Sequence, residues 1–104
     1  MDYVEIELTQ GNINNSHLYL SSVADFFPDS AFGGPNDSMV ASLLLEIHNG
    51  VSEPVKTDIA EDKKIFRKRT WVREFFETHQ LKAGDSVIIQ KTGANRYHVY
   101  PKLA

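Results

Sequence analysis

At 104 residues the chain has room for one domain built around one hydrophobic core. Its 41% hydrophobic, 11% aromatic and 24% charged residues are the composition of a folded soluble domain, not of a disordered segment. The absence of cysteine excludes disulfides, thiolate metal sites and a cysteine nucleophile, which fits a reducing cytosol. No run approaches the roughly 20 apolar residues of a membrane helix. The opening MDYVEIELTQ also lacks the basic-then-apolar pattern of a signal peptide, so a cytoplasmic protein without membrane contact is expected.

The net charge of −3 conceals an asymmetry. Residues 1–62 hold eleven acids against the single base Lys56, whereas residues 63–104 hold ten bases against Glu74, Glu77 and Asp85. The two parts carry −10 and +7, a division that points to a surface facing a polyanion. Lys63, Lys64, Arg67, Lys68, Arg69 and Arg73 place six cations within eleven residues with no acid among them. A merely solvated basic face is the ordinary alternative for such a run.

In chain order, alternation of Val4, Ile6 and Leu8 with Glu5 and Glu7 predicts a half-buried strand over residues 3–8. Residues 11–16 read as a polar loop and 17–20 as a short strand. Ser21 or Ser22 can cap one or two helical turns that Pro28 stops. Residues 29–38 read as a long irregular loop carrying Phe32. An apolar run at 43–48, the hairpin signal Asn49-Gly50 and a strand at 55–59 follow, and Glu61-Asp62 turns the chain into the basic segment. Residues 63–69 alternate weakly around Ile65 and Phe66, which predicts a strand. Thr70 is a plausible N-cap for a helix over 71–79 with Val72, Phe75 and Phe76 as its buried stripe. Residues 86–90 and 97–100 read as strands joined by a turn at Gly93-Ala94-Asn95. Trp71, Phe75, Phe76, Val87, Ile89, Tyr97 and Val99 are the expected core. The outline is mainly β with two short helices.

The ordered set Trp71, Phe75, Leu81, Gly84, Asp85 and Val87, within FRKRTWVREFF and LKAGDSVII, resembles the second half of a B3 DNA-binding domain. The likeness covers about the last forty residues. The first half departs from plant B3 domains, which open on a basic strand, and is closer to the B3-like effector domains of prokaryotic restriction enzymes. The resemblance implies an open seven-stranded pseudobarrel that grips the major groove of double-stranded DNA between two arms. It also implies the recognition or effector part of a restriction–modification protein, with a nuclease or methyltransferase domain on the same or another chain. By position, one arm would hold Ser30, Phe32, Gly33, Gly34, Asn36, Asp37 and Ser38. The other would span residues 58–69, with Asp58, Lys63, Lys64, Arg67, Lys68 and Arg69.

The chemistry of DNA binding suits these residue types, since cations meet phosphates and forked side chains read base edges. Strand alternation would put Lys63, Arg67 and Arg69 on one face and Lys64 and Lys68 on the other. Arg67 and Arg69 are the candidates for guanine, Asn36 for adenine, and Asp37 or Asp58 for cytosine. Each Asn or Asp could equally be an ordinary turn residue. Gly33 and Gly34 could let backbone approach a phosphate or simply punctuate the loop, and Phe32 could anchor the loop or form an exposed wedge.

Two other classes compete. Pro28-Asp29 with Glu61-Asp62-Lys63 spells the loose pattern of a metal-dependent nuclease, in which Asp29 and Glu61 would hold Mg²⁺ and Lys63 would orient water. Alternatively, the basic strand could meet an acidic protein partner. His17, His48, His79 and His98 show no metal-ligand spacing, and no nucleophile elbow or phosphate loop is present. No cofactor, metal or catalytic residue is expected.

Overall fold

Residues 2–103 are described by a computed structural model. The alternation near the start yields β1 (Tyr3–Glu7), which buries Ile6 and pairs antiparallel with β7 (Ser86–Gly93). β7 turns back into β8 (Arg96–Pro101), β3 (Leu45–His48) lies parallel to β8, and β4 (Val55–Thr57) is antiparallel to β3. These five strands form one sheet in the order β1-β7-β8-β3-β4. A smaller sheet joins β2 (Phe32–Gly33), β5 (Ile59–Ala60) and β6 (Ile65–Phe66) in the order β2-β5-β6. The described residues thus form eight strands in two open sheets, where seven in one open barrel were expected.

One reason for the difference is Asp58. The expected strand at 55–59 breaks there, so its first part closes one sheet and its second part enters the other. The basic strand expected at 63–69 shrinks to Ile65–Phe66, both buried, because residues 61–64 form a turn in which Lys64 adopts φ 55°. Only two residues therefore alternate, and the proposed division of the cations between two strand faces does not occur.

The helices also move. The polar stretch at 11–16 is helical, not a loop: α1 (Gln10–Asn15) starts at Thr9, whose hydroxyl accepts from Asn12 N–H while the Asn12 side chain accepts from Thr9 N–H. This reciprocal cap satisfies donors that a helix start otherwise leaves open. Residues 17–20 form no strand, and residues 21–26 make only 3-10 turns. A second 3-10 turn, Asp29–Ala31, and β2 take up part of the expected 29–38 loop. The hairpin signal at Asn49-Gly50 opens a longer loop in which the buried Asn49 side chain accepts from Val51 and Ser52 N–H.

α2 (Thr70–Thr78) matches the expected stripe, with Trp71, Val72, Phe75 and Phe76 buried, although Arg69 rather than Thr70 is its N-cap. Its aromatic face continues a stack of rings: Phe75 meets Trp71, Trp71 meets Phe66, Phe66 meets Phe27 and Phe27 meets Tyr97, at centroid distances of 6.0, 6.2, 6.0 and 5.2 Å. Such offset and edge contacts add to the burial of large apolar side chains, which is the main force holding the two sheets together. Because Phe66 and Trp71 sit in this core, residues 67–70 between them are held against the rim.

Candidate nucleic-acid interface

Arg67 lies at the centre of the arm region. Its Nε donates to Asp58 Oδ1 at 2.7 Å and its Nη2 to Asp58 Oδ2 at 3.0 Å, a side-on fork. Nη2 also donates to the Gly34 carbonyl at 2.7 Å, and Nη1 to the Asn36 carbonyl at 3.1 Å. Four of the five guanidinium N–H donors are thereby taken. The Arg67 and Asp58 side chains are only 10% and 1% exposed. Burial alone would push the Asp58 carboxyl up, but the hydrogen bonds from Arg67 and from Ala41 N–H outweigh it and hold the group below the usual carboxylate range. The same pairing keeps Arg67 firmly charged.

This pair ties the loop at 34–41 to the basic segment. Gly34 N–H donates to the Met39 carbonyl and Met39 N–H to the Asn36 carbonyl, which folds the loop on itself, while Asp58 receives Ala41 N–H. Gly33 is required for this closeness. A Cβ there would clash with Asp58 Oδ2 and stand 2.5 Å from the Met39 carbonyl. The glycine makes room for the chain itself, not for a phosphate. Gly33→Ala should therefore lower stability by about 1–3 kcal/mol, the range for overpacking, seen as a reduced thermal midpoint; an unchanged midpoint would mean that the loop can relax.

The sequence-assigned residues separate accordingly. Asp58 and Gly33 are buried, and with Arg67 they form the joint between the arms, which engages both Asp58 carboxylate oxygens and all but one of the Arg67 guanidinium N–H donors. Asn36, Asp37 and Ser38 form an exposed turn above that joint, and Asp37 is 3.8 Å from Arg67 Nη1. Ser30 is exposed on the 3-10 turn of residues 29–31, and Gly34 is half-buried. Phe32 is half-buried against the core, so it anchors its loop, and Lys64 Nζ sits 5.8 Å above its ring. Lys64 Nζ also donates to the Glu61 carbonyl at 2.6 Å. Together with Asp25, Asp29 and Glu61 these two side chains line a small depression of about 260 Å³. Asp29 and Glu61 thus line one depression, and the lysine beside them is Lys64 and not Lys63. Among the described residues no three His, Cys, Asp or Glu side chains are arranged to hold a metal ion.

Three of the four remaining cations of the basic segment converge elsewhere. Lys68, Arg69 and Arg73, with Arg67 and Thr70, form one wall of a groove of about 810 Å³, whose other residues are Val55, Asn15, Ser16 and His17. The rim backbone is fixed by Lys68 N–H donating to Thr57 Oγ1 at 2.9 Å, Arg67 N–H to the Asp58 carbonyl at 3.0 Å, and the Trp71 indole N–H to the Lys68 carbonyl at 3.1 Å. Among the described residues no carboxylate lines this groove and none forms an ion pair with Lys63, Lys68 or Arg69. Arg73 pairs with Glu77 at 3.5 Å on the open face of α2, a contact of little energetic weight.

Asn15, Ser16 and His17 were absent from the sequence reading of the site. Asn12 caps the start of α1 and donates from Nδ2 to the His17 carbonyl at 2.9 Å, while Ser16 takes φ 52°, so the helix end turns His17 toward Arg69. Arg69 Nε donates to His17 Nε2 at 3.3 Å, and His17 Nδ1 faces the Tyr19 hydroxyl at 3.3 Å. Desolvation, with the fields of Arg69 and Lys63, pushes the His17 pKa below its ordinary value.

No protein-family model and no curated protein matches the sequence. Among solved structures, the N-terminal domain of Helicobacter pylori LlaJI.R1 is similar, with a TM-score of 0.58 and 10% sequence identity. The match covers 99% of this chain and 88% of that one. At that identity the likeness is one of fold, extending over nearly the whole chain.

Proposed function

We propose that this chain is a B3-like domain that binds double-stranded DNA with sequence preference, as the recognition or effector part of a restriction–modification protein. One observation carries the reading: Lys68, Arg69 and Arg73 share a groove free of carboxylates in a protein whose net charge is −3. A concave cationic strip on an otherwise acidic molecule is the electrostatic footprint of a phosphate backbone. The likeness to the N-terminal domain of LlaJI.R1 supports the fold of this reading; fold alone does not decide function, and the groove supplies the chemistry.

In this reading Lys68, Arg73 and Lys63 meet phosphates, and Arg69 is the side chain with donors to spare for a base edge or a backbone oxygen. The turn of Asn36, Asp37 and Ser38 enters the groove of the duplex, and Arg67 with Asp58 sets the distance between that turn and the cationic rim. The chain performs no cleavage itself and works beside a nuclease or methyltransferase domain.

Selection of binding sites from a pool of random duplexes tests the proposal. Enrichment of a defined sequence supports it, and a pool that stays random would contradict sequence-specific binding. The shared depression of Asp29 and Glu61 favours a second reading, a small nuclease. Incubation of supercoiled plasmid with Mg²⁺ or Mn²⁺ decides that point: an intact plasmid removes the nuclease, and nicking abolished by Glu61→Ala would establish it.

A further inference from the structure

We infer that the Arg69–His17 hydrogen bond is a proton-linked latch: when a polyanion fills the groove, His17 takes a proton from solvent, the bond breaks, and the Arg69 guanidinium turns to a phosphate. This rests on the groove being the DNA site and adds a pH response to it.

The geometry defines the resting state. Arg69 Nε carries a hydrogen at every accessible pH, so at 3.3 Å it can only donate, and His17 Nε2 must be the unprotonated acceptor. The ring proton of neutral His17 therefore resides on Nδ1, directed at the Tyr19 hydroxyl, which also receives Asn15 Nδ2 at 3.2 Å. A proton on Nε2 would leave two donors face to face and remove the bond.

The groups around the ring set the direction of the response. Arg69 and Lys63 act on it by their fields, and Arg67, Lys68 and Arg73 share its groove; Tyr19 and Asn15 are neutral, and no carboxylate lines the groove. The imidazolium is thus disfavoured while the groove is empty. A phosphate in the groove reverses the local sign of charge, so the bound state holds a proton over a pH range in which the free state does not. Affinity must then rise as pH falls from the higher bound value towards the lower free value, and level off outside that window. His48 and His98 line a separate cleft, and His79 packs against the Phe75 ring at the end of α2, so none of them lies in the groove.

The test uses the whole chain and a mixed-sequence 16-bp DNA duplex at fixed salt. The expected result is affinity up to about tenfold tighter for each pH unit lost inside the window, the limit for one proton. Calorimetry in two buffers of different ionisation enthalpy should show uptake of up to one proton by the wild-type protein. His17→Gln should flatten the profile, and His79→Gln should retain it. DNA bound with a flat wild-type profile and no proton uptake would overturn the latch while leaving the DNA site in place. No DNA bound at any pH would overturn both.

Discussion

Asp58→Ala should lower the free energy of unfolding by about 3–5 kcal/mol, the cost of leaving one member of a buried ion pair without its partner. The mechanism is specific to this site. The substitution would leave the Arg67 guanidinium, 10% exposed, without its fork and would strip Ala41 N–H of its acceptor. Urea denaturation at neutral pH reads the effect, and a loss below about 1 kcal/mol would show the pair to be no more than an average hydrogen bond. The double variant Asp58→Leu with Arg67→Met should recover most of the loss, since apolar replacement of both partners is often neutral or better. The pH dependence has a fixed sign. The carboxyl is held below its ordinary value of 3.8, so its contribution is complete above that pH and disappears as pH falls through the lower folded value. Wild type and Asp58→Ala should therefore converge in stability under acid conditions.

Removing Lys68 and Arg69 together should weaken DNA binding about a hundredfold. A hydrogen bond to a charged group is worth roughly 1.5–3 kcal/mol, about tenfold or more for each contact. Both side chains are exposed on a rim whose backbone is held independently by Thr57, Asp58 and Trp71, so thermal stability should change by no more than about 0.5 kcal/mol. The matched control, Lys82→Ala with Lys102→Ala, removes two cations that do not line the groove and pair instead with Asp85 and Glu5. Its affinity should stay within a fewfold of wild type. Equal losses in the two double variants would assign the binding to overall charge and not to the groove.

Much of the fold was legible because its strongest signals are local. Val72, Phe75 and Phe76 at helical spacing and the alternation around Ile6, Val87 and Ile89 led to the right elements and the right core. α1 was not legible, since QGNINN has no apolar periodicity and its start depends on the Thr9–Asn12 exchange, a pair that forms only once the helix exists. The break at Asp58 was hidden for a different reason. Val-Lys-Thr-Asp-Ile alternates acceptably, and only the long-range fork from Arg67 explains why the chain changes sheets there.

The site shows the same division between local and distant information. Charge counting located the basic segment, yet it could not show that Arg67 is occupied by Asp58 or that Lys64 turns away to Phe32 and the Glu61 carbonyl. Nor could it find Asn15, Ser16 and His17, which reach the groove through the end of α1, about fifty residues away in sequence from Arg69. Their one sequence signal was the tight run of polar residues before His17, and by itself that run reads as a loop.

A cationic groove that takes a phosphate backbone makes duplex binding depend on salt, and the slope of that dependence is the decisive measurement. Each neutralised phosphate contributes about −0.9 to the slope of log affinity against log salt. With Lys63, Lys68, Arg69 and Arg73 engaged, the slope should be about −3.6, and Lys68→Ala with Arg69→Ala should bring it to about −1.8. An affinity indifferent to salt, or a slope that the double variant leaves unchanged, would contradict the assignment of the groove to DNA.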